Sequence, residues 1–280
     1  MKDTLDGVFS QTYENMEIII SDDASPDGTY AAVERYLSEH TCSKRVFVNR
    51  NEKNMGLVPH LNYLIENFVH GDIIALAGGD DISMPNRVLD TVKLFESNKN
   101  IKAVTGQPVM IDKNGQVMED TASIKEGNYR LDDSYIRSFS FMCGGYGLSI
   151  RKEVWDMFGT LQPECPTEDS TLRFRSLLLG YMAVAPSVFI KYRIHGNNLS
   201  GQSNIFNLKT ERIMAQYEQD LRRANDLGIV STDTIKRLER KIDLYRKERK
   251  VAAAKYGKPK LLKAPYKLAQ NILGRIIERI

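Results

Sequence analysis

Two adjacent carboxylates follow an apolar run of strand length, and their type and spacing suit metal chemistry. Asp80 and Asp81 come after the run Asp72 to Ala77 and a pair of glycines. Adjacent carboxylates repel each other, and a divalent cation would offset that repulsion. Hard oxygen ligands suit Mg²⁺ or Mn²⁺, which complete their shells with phosphate oxygens and water. The alternative is a polar turn that caps the helix beginning near Pro85.

A second acidic pair, Asp22-Asp23, closes the apolar run Met16 to Ser21. A carboxylate at this place could accept hydrogen bonds from a base N–H or a ribose hydroxyl, so the pair is a candidate nucleoside site. Ala-Ser-Pro-Asp-Gly follows the pair, which is the composition of a turn. The alternative is therefore that the carboxylates only form an Asx-turn with nearby backbone N–H groups.

Two later segments carry further candidates for chemistry. Glu168 and Asp169 open a predicted helix, where a carboxylate could act as a general base on a hydroxyl; favourable interaction with the helix dipole also explains them. His195 follows a late strand and Arg193, and precedes a loop rich in Asn and Ser. This is a plausible metal or phosphate environment, and the alternative is a structural histidine.

The elements that must position these residues alternate between strands and helices. Apolar runs predict strands at 16–21, 45–49, 72–77 and 101–105, and helical periodicity predicts helices at 2–12, 29–40, 57–68 and 86–98. This order predicts an α/β fold with a mostly parallel sheet flanked by helices. Ligands bind beyond the carboxyl ends of such strands, so both acidic pairs should lie on one edge. The later chain predicts a hairpin near 112–115, helices at 150–158 and 168–179, and a strand at 183–190.

Composition excludes several classes of protein. The chain has 280 residues, 27% charged and 42% hydrophobic, an ordinary globular balance. No apolar run approaches the roughly 18 residues of a membrane span, and the first residues lack the apolar core of a signal peptide. Three cysteines without paired spacing indicate a reducing compartment. These features predict a cytoplasmic protein.

The C-terminal fifth of the chain is strongly basic. Residues 231–280 hold 15 Lys and Arg against 5 Asp and Glu, whereas the rest holds 24 against 31. Residues 206–280 are predicted to form a helical extension, and 258–280 an amphipathic basic helix. Such a helix could bind an anionic membrane surface, or it could pack on the body or a partner. Nucleic acid is not an expected partner, because the tail has few aromatic residues for stacking.

The order of these segments resembles that of glycosyltransferase family 2. Five segments between residues 8 and 200 are similar to the family's nucleotide-binding segment, its NxG segment, its metal-binding region, its base motif and its closing loop. They are Ile18 to Thr29, Asn54 to Gly56, Gly79 to Ile82 with Pro85 and Arg87, Thr167 to Asp169, and Tyr192 to Ser200.

The resemblance implies a GT-A fold over residues 1–205. It also implies transfer of a sugar, with inversion, from a nucleoside-diphosphate sugar such as a UDP-sugar to a glycan or lipid-linked acceptor. Mn²⁺ or Mg²⁺ would be the cofactor. The implied product is a surface polysaccharide of the cell envelope, made in the cytoplasm or on the inner face of the cell membrane. The implied roles are nucleotide binding for Asp22, Asp23, Asn54, Gly56 and Asp80, metal binding for Asp80, Asp81 and His195, general base for Asp169, and further contacts such as the acceptor for Glu168 and Arg193.

Two departures from the family pattern qualify these expectations. Many members have Asp at the place of Gly78, so either Asp80 or Asp81 could be the metal ligand. The family's opening strand should precede the helix at 2–12, which implies that about 15–20 residues are missing and two strand edges are exposed. The alternative function is an inactive GT-A-like protein that binds only nucleotide or membrane. A nucleotidyltransferase is a third alternative, but the Gly-rich basic phosphate loop it needs is not found near the N-terminus.

Overall fold

A computed structural model describes residues 1–119, 123–132, 146–195, 198 and 209–261, with side chains described as far as Lys247. The described residues form eight helices: α1 Lys2–Phe9, α2 Thr29–Glu39, α3 Leu57–Phe68, α4 Arg87–Ser97, α5 Lys152–Phe158, α6 Asp169–Leu179, α7 Thr210–Asp226 and α8 Thr232–Leu261. They also form eight strands: β1 Glu17–Asp22, β2 Arg45–Arg50, β3 Ile73–Ala75, β4 Ile82–Ser83, β5 Ile101–Ile111, β6 Gly127–Tyr129, β7 Ser149–Arg151 and β8 Tyr181–Arg193.

Most elements lie where their hydrophobic periodicity predicts them. Helix α3 has the predicted bounds, and strands β1, β2 and β3 differ from them by one or two residues. Helix α1 ends at Phe9, earlier than predicted, and the buried side chain of Gln11 caps a carbonyl of its last turn. The amide of Gln11 donates to the carbonyls of Gly7 and Met84, both at 2.8 Å, and this ties α1 to the segment between β4 and α4.

The α/β class is confirmed, but the central sheet is mixed rather than mostly parallel. Its strand order is β3-β7-β5-β8-β4, with β6 also paired to β8. Only β5 and β8 pair in parallel within it, and the other pairs are antiparallel. The antiparallel pairs come from β4, β6 and β7, which have only two or three residues and therefore no readable periodicity. Since β3 and β5 both run against β7, strands β3, β5 and β8 end on the same edge.

A second, two-stranded sheet is formed by β1 and β2, which pair in parallel from Glu17 with Arg45 to Asp22 with Arg50. The described residues contain no ladder between this sheet and the central one. Strands β1 and β3 therefore each have one edge without a strand partner in the described chain. Unpaired strand edges expose backbone N–H and C=O groups that can pair with another strand.

The largest core cluster joins the central sheet to the C-terminal helices. Trp155 of α5, Phe174 of α6, Tyr217 of α7 and Leu238 of α8 are all buried in it. Ile235 and Ile242 of α8 are buried in the same cluster, so the face of α8 that carries them is its packing face. The division at residue 205 stays a prediction, because residues 199–208 lie outside the described part of the chain. In the portion described, no helix has the length and apolar character needed to cross a membrane.

Candidate functional site

The acidic turn that follows β3 meets the end of β8. Asp80 Oδ2 lies 2.8 Å from His195 Nε2, and Asp81 Oδ1 accepts the backbone N–H of Arg193 at 2.9 Å. The two segments are more than 100 residues apart in sequence, and they meet because β3 and β8 end on the same edge of the sheet. The structure therefore brings three of the predicted metal and nucleotide residues into one group.

Arg193 holds this group in place through its guanidinium. Nε donates to the carbonyl of Asp80 at 2.9 Å, and Nη1 donates to the carbonyls of Asp112 and Lys113 at 3.4 and 3.2 Å. Nη2 lies 3.3 Å from the carboxylate of Asp3 at the start of α1. The side chain is 15% exposed, so most of its donors face protein. A contact of Arg193 with an acceptor stays a prediction.

The electrostatics of the turn differ between its two carboxylates. Burial raises the pKa of Asp81 to about 6, and the charge of Asp80 adds to this, whereas the N–H of Arg193 and the charges of Arg87 and Arg193 act against it. Burial also lowers the pKa of the Arg87 guanidinium to about 10. A bound cation would favour the ionised form of Asp81 and so offset the cost of its burial.

The donors present fit a small divalent cation. The side chain of Asp80 is 44% exposed, and a Cβ at residue 78 would lie 2.9 Å from its Oδ1, so Gly78 leaves that carboxylate room. Among the described residues, no group of three or more His, Cys, Asp or Glu side chains forms a metal site on its own. Mg²⁺ and Mn²⁺ commonly bind through one or two carboxylates and take their other ligands from substrate phosphates and water. Asp80 and Asp81 supply such a partial set.

A second group forms around the carboxylate of Asp23, just after β1. Its Oδ1 accepts the N–H of Met55 at 2.9 Å, and its Oδ2 accepts the N–H of Gly56 at 2.8 Å. Asn54 Nδ2 donates to the carbonyl of Asp23 at 2.8 Å. Gly56 has a φ of +84°, which favours glycine over any residue with a Cβ. The structure thus places Asp23, Asn54 and Gly56 together, as the sequence predicts.

Asp22 has different surroundings from its neighbour. It is buried, its Oδ2 accepts the N–H of Ser25 at 3.1 Å, and the same oxygen lies 3.6 Å from Arg50 Nε. The bond to Ser25 spans three residues, one more than an Asx-turn, and together with Arg50 it gives Asp22 a structural role in the turn after β1. A direct contact of Asp22 with a nucleotide stays a prediction.

The third group lies at the start of α6. Asp169 is the first helical residue, and its Oδ1 accepts the N–H of Ser170 at 2.6 Å. A carboxylate in the first turn also interacts favourably with the helix dipole. Gly180 alone separates α6 from β8, and α6 packs on β5, β7 and β8. The helix therefore runs back along the sheet, with Asp169 toward the edge where β8 ends.

Glu168, beside Asp169, has a strongly perturbed carboxyl group. Burial raises its pKa to about 7, and the negative charge of Asp169 adds to the shift. Glu168 is therefore partly protonated near neutral pH. A carboxyl group with a raised pKa beside a second acidic residue is a common arrangement in acid–base sites.

This shift predicts a pH dependence of stability. The folded protein binds a proton at Glu168 that the unfolded chain releases at its ordinary value near 4.5. The contribution is full below that value and is lost as pH rises toward about 7. We expect the melting temperature of Glu168→Gln, relative to the unmodified protein, to rise between pH 4.5 and 7.5. Differential scanning calorimetry across this range tests it. The exposed Glu164→Gln should show no such trend, and a flat difference for Glu168→Gln would contradict the assignment.

Helix α6 is fixed by a buried ion pair that no sequence motif indicates. Arg175 of α6 is fully buried, and its Nε donates to Asp220 Oδ1 of α7 at 3.0 Å. Its Nη1 and Nη2 donate to the carbonyls of Gly159 and Thr160 at 2.6 and 3.2 Å. Gln216 Nε2 donates to the same oxygen of Asp220 at 3.0 Å. Helix α7 is therefore part of the structure that positions α6.

This α/β arrangement is the GT-A fold of glycosyltransferases. Solved structures share the fold at low identity. S. aureus TarS in complex with UDP superposes with a TM-score of 0.63 and 13% identity over 97% of this chain and 73% of that one. The mannosyltransferase PcManGT from Pyrobaculum calidifontis, in complex with GDP-Man and Mn²⁺, superposes with a TM-score of 0.56 and 17% identity over 100% of this chain and 76% of that one.

The chain belongs to glycosyltransferase family 2, because the family model described as "Glycosyl transferase family 2" matches residues 1–158. A glycosyltransferase named EpsE of Bacillus subtilis (strain 168) is 31% identical over 115 residues, 41% of this chain and 40% of that protein. An uncharacterized glycosyltransferase of Haemophilus influenzae is 26% identical over 213 residues, 72% of this chain and 64% of that protein. The chain thus spans less than two thirds of these relatives. The family predicted from the sequence is confirmed.

Proposed function

We propose that the protein transfers a sugar, with inversion, from a UDP-sugar to a glycan or lipid-linked acceptor, with Mn²⁺ or Mg²⁺ as cofactor. The observation that carries the proposal is the pairing of Asp80 with His195 beside Asp81, at the edge where β3 and β8 end. Two relatives of the fold support the donor class: TarS is solved with UDP and with UDP-GlcNAc, and the mannosyltransferase with GDP-Man and Mn²⁺.

The three groups have separate roles in a single displacement at the anomeric carbon of the donor sugar. Asp80, Asp81 and His195 would hold the cation, which when bound neutralises charge on the leaving nucleoside diphosphate. Asp23 orients the nucleobase by accepting its N–H. Asp169 accepts the proton of the acceptor hydroxyl as that oxygen bonds to the anomeric carbon. Attack from the face opposite the leaving group inverts the anomeric centre.

Of the two adjacent carboxylates, Asp80 is proposed as the principal metal ligand. It is the more open of the two and pairs with His195. One oxygen of Asp81 is already engaged with the N–H of Arg193. Asp81 then contributes to cation binding through its other carboxylate oxygen or through its negative charge.

Replacement of Asp80 tests this assignment. UDP that binds only the folded state should stabilise the protein, by about 2.7 kcal/mol at 100 times its Kd, and Mn²⁺ should increase the effect. We expect Asp80→Asn to lose the Mn²⁺-dependent part of the thermal shift, because it removes a charged metal ligand. The exposed Asp72→Asn, at the start of the same strand segment, should behave like the unmodified protein. A full Mn²⁺-dependent thermal shift in Asp80→Asn would contradict the assignment of Asp80 as a metal ligand.

The cellular location is proposed from the basic tail. Residues 258–280 lie outside the described side chains. We propose that this segment binds the anionic inner face of the cell membrane, where lipid-linked acceptors of surface glycans would be accessible.

Deletion of residues 258–280 tests the location. The shortened protein should no longer sediment with vesicles that contain anionic lipid. Neither the full nor the shortened form should sediment with neutral vesicles, and both should bind UDP with the same affinity. Unchanged sedimentation of the shortened protein with anionic vesicles would remove the membrane proposal.

The alternative is a protein that binds nucleotide without transferring sugar. The separation of the β1–β2 sheet from the central sheet favours it, because Asp23 and Asp80 are carried by different sheets. A UDP-dependent thermal shift together with no turnover of any UDP-sugar would support this alternative. Turnover by the chain as given would exclude it.

A further inference from the structure

We propose that His60 is a positioning residue of the nucleotide site, acting on Asp23 through Ser21, Asn49 and Asn51. The inference rests on the proposed role of Asp23 as the acceptor of a nucleobase N–H. His60 belongs to no motif recognised in the sequence. It lies in the first turn of α3, directly after the loop whose backbone holds Asp23.

A continuous chain of hydrogen bonds connects the two residues. Asn51 Nδ2 donates to Asp23 Oδ1 at 2.7 Å. Asn49 Nδ2 donates to Asn51 Oδ1 at 3.0 Å and to Ser21 Oγ at 2.8 Å. Ser21 Oγ lies 2.6 Å from His60 Nε2.

The direction of these hydrogen bonds follows from which groups can donate. The Ser21 hydroxyl accepts from Asn49, so its own proton is available for donation to His60 Nε2. His60 then acts as an acceptor, in the tautomer with its proton on Nδ1. The side-chain amides of Asn49 and Asn51 are then each held in one orientation, because their oxygen and nitrogen atoms have fixed partners. Asn51 therefore presents its Nδ2 to Asp23 and not its oxygen, which the carboxylate would repel.

Asp23 is consequently held from two sides. The backbone N–H groups of Met55 and Gly56 hold it from the start of α3, and Asn51 holds it from the end of β2. Burial acts to raise the pKa of Asp23, but these three hydrogen bonds bring it below its ordinary value. A carboxylate has about four lone-pair sites, and the described part of the chain occupies three of them. One remains, which suits a single ring N–H such as that of uracil.

Loss of the acceptor at His60 should loosen this arrangement without removing any group that touches nucleotide. The Ser21 hydroxyl would turn to another partner, and the Asn49 and Asn51 amides would lose their single orientation. Because one neutral hydrogen bond is at stake, we expect the Kd for UDP to rise about three- to tenfold. Donor KM should rise in parallel, while kcat should change little.

The experiment compares His60→Leu, which removes the acceptor, with His60→Gln, which keeps one. UDP affinity is measured by calorimetry with Mn²⁺ present at pH 7.5, where an ordinary imidazole is neutral and can accept a hydrogen bond. The side-chain amide signals of Asn51 are recorded at the same pH by ¹H–¹⁵N NMR without nucleotide and are assigned through Asn51→Asp. We expect His60→Leu to weaken UDP binding and to move the Asn51 amide signals, because that amide loses its single orientation. His60→Gln should restore most of both properties. His70→Leu is the matched control, since that exposed histidine contacts Glu17, and it should change neither.

The outcomes separate this inference from the proposed function. If the Asn51 amide signals and the UDP affinity of His60→Leu match those of the unmodified protein, His60 is only a packing residue and the inference is overturned. If the unmodified protein binds no UDP but the Asn51 amide signals still respond to His60→Leu, the positioning role stands and the proposed function fails. Should His60→Leu not fold, Ser21→Ala breaks the same link and must give the same two effects.

Discussion

Replacing Asp169 with Asn should lower kcat for sugar transfer by about 10²- to 10⁴-fold, the range typical of a lost general base. Asn keeps the shape of the side chain but cannot take the proton of the acceptor hydroxyl. Asp169 is the first residue of α6, an element that carries neither Asp23 nor Asp80, and its Oδ1 accepts the N–H of Ser170. Affinity for UDP should therefore change less than about twofold.

The measurement pairs steady-state turnover with UDP binding on the same preparations. Ser170→Ala, next to Asp169, is a control that keeps the carboxylate and should retain most of the activity. Parallel loss of UDP binding in Asp169→Asn would show that the substitution disturbs the site as a whole. Undiminished turnover would show that another group accepts the proton, and Glu168 would be the first candidate.

Replacing Asp220 with Ala should destabilise the fold by about 3–5 kcal/mol, a large part of the roughly 5–15 kcal/mol that holds a domain folded. The substitution leaves the guanidinium of Arg175 buried without its counter-charge, since Arg175 is 0% and Asp220 1% exposed. The carbonyls of Gly159 and Thr160 still accept from Arg175 but carry no full charge. A buried charge without a partner is among the costliest defects in a protein core.

Urea denaturation gives this free energy, and the midpoint should fall at nearly constant m. The exposed pair of Lys152 and Asp156 supplies a matched control, and Asp156→Ala should cost no more than about 1 kcal/mol. A loss below about 1 kcal/mol in Asp220→Ala would mean that α6 does not depend on α7. The expected large loss would establish α7, which follows the predicted boundary at residue 205, as a structural part of the transferase domain.

The sequence predicted those features that depend on local pattern. Helix α3 has the apolar spacing of a single buried face, so its bounds are correct, and the acidic turn after β3 is recognisable because two carboxylates follow an apolar run. Strand β7 was not predicted, since three residues carry no period. Its insertion between β3 and β5 is what makes the sheet mixed.

Partners that are distant in sequence could not be predicted. Arg175 and Asp220 are 45 positions apart, and Ser21 and His60 are 39 apart. Each of these residues is ordinary in its own element, and only the packing of the elements makes it a partner. The Asp80–His195 pair is different, because the resemblance to the family assigned both residues to one site before their contact was seen.

The place of β8 in the sheet has a consequence for how the protein is made on the ribosome. Strand β4 pairs with β8, with Ser83 opposite Ile190, and β5 pairs with β8 along most of its length. Translation at roughly 5–20 residues per second leaves β4 without its partner for on the order of 5–20 s. Until β8 is synthesised, the sheet lacks the strand that lies between β5 and β4. Arg193, which connects α1 to the acidic turn, is also absent until then. During that time the unpaired edges of β4 and β5 are places where a strand of another nascent chain on the same polysome could pair.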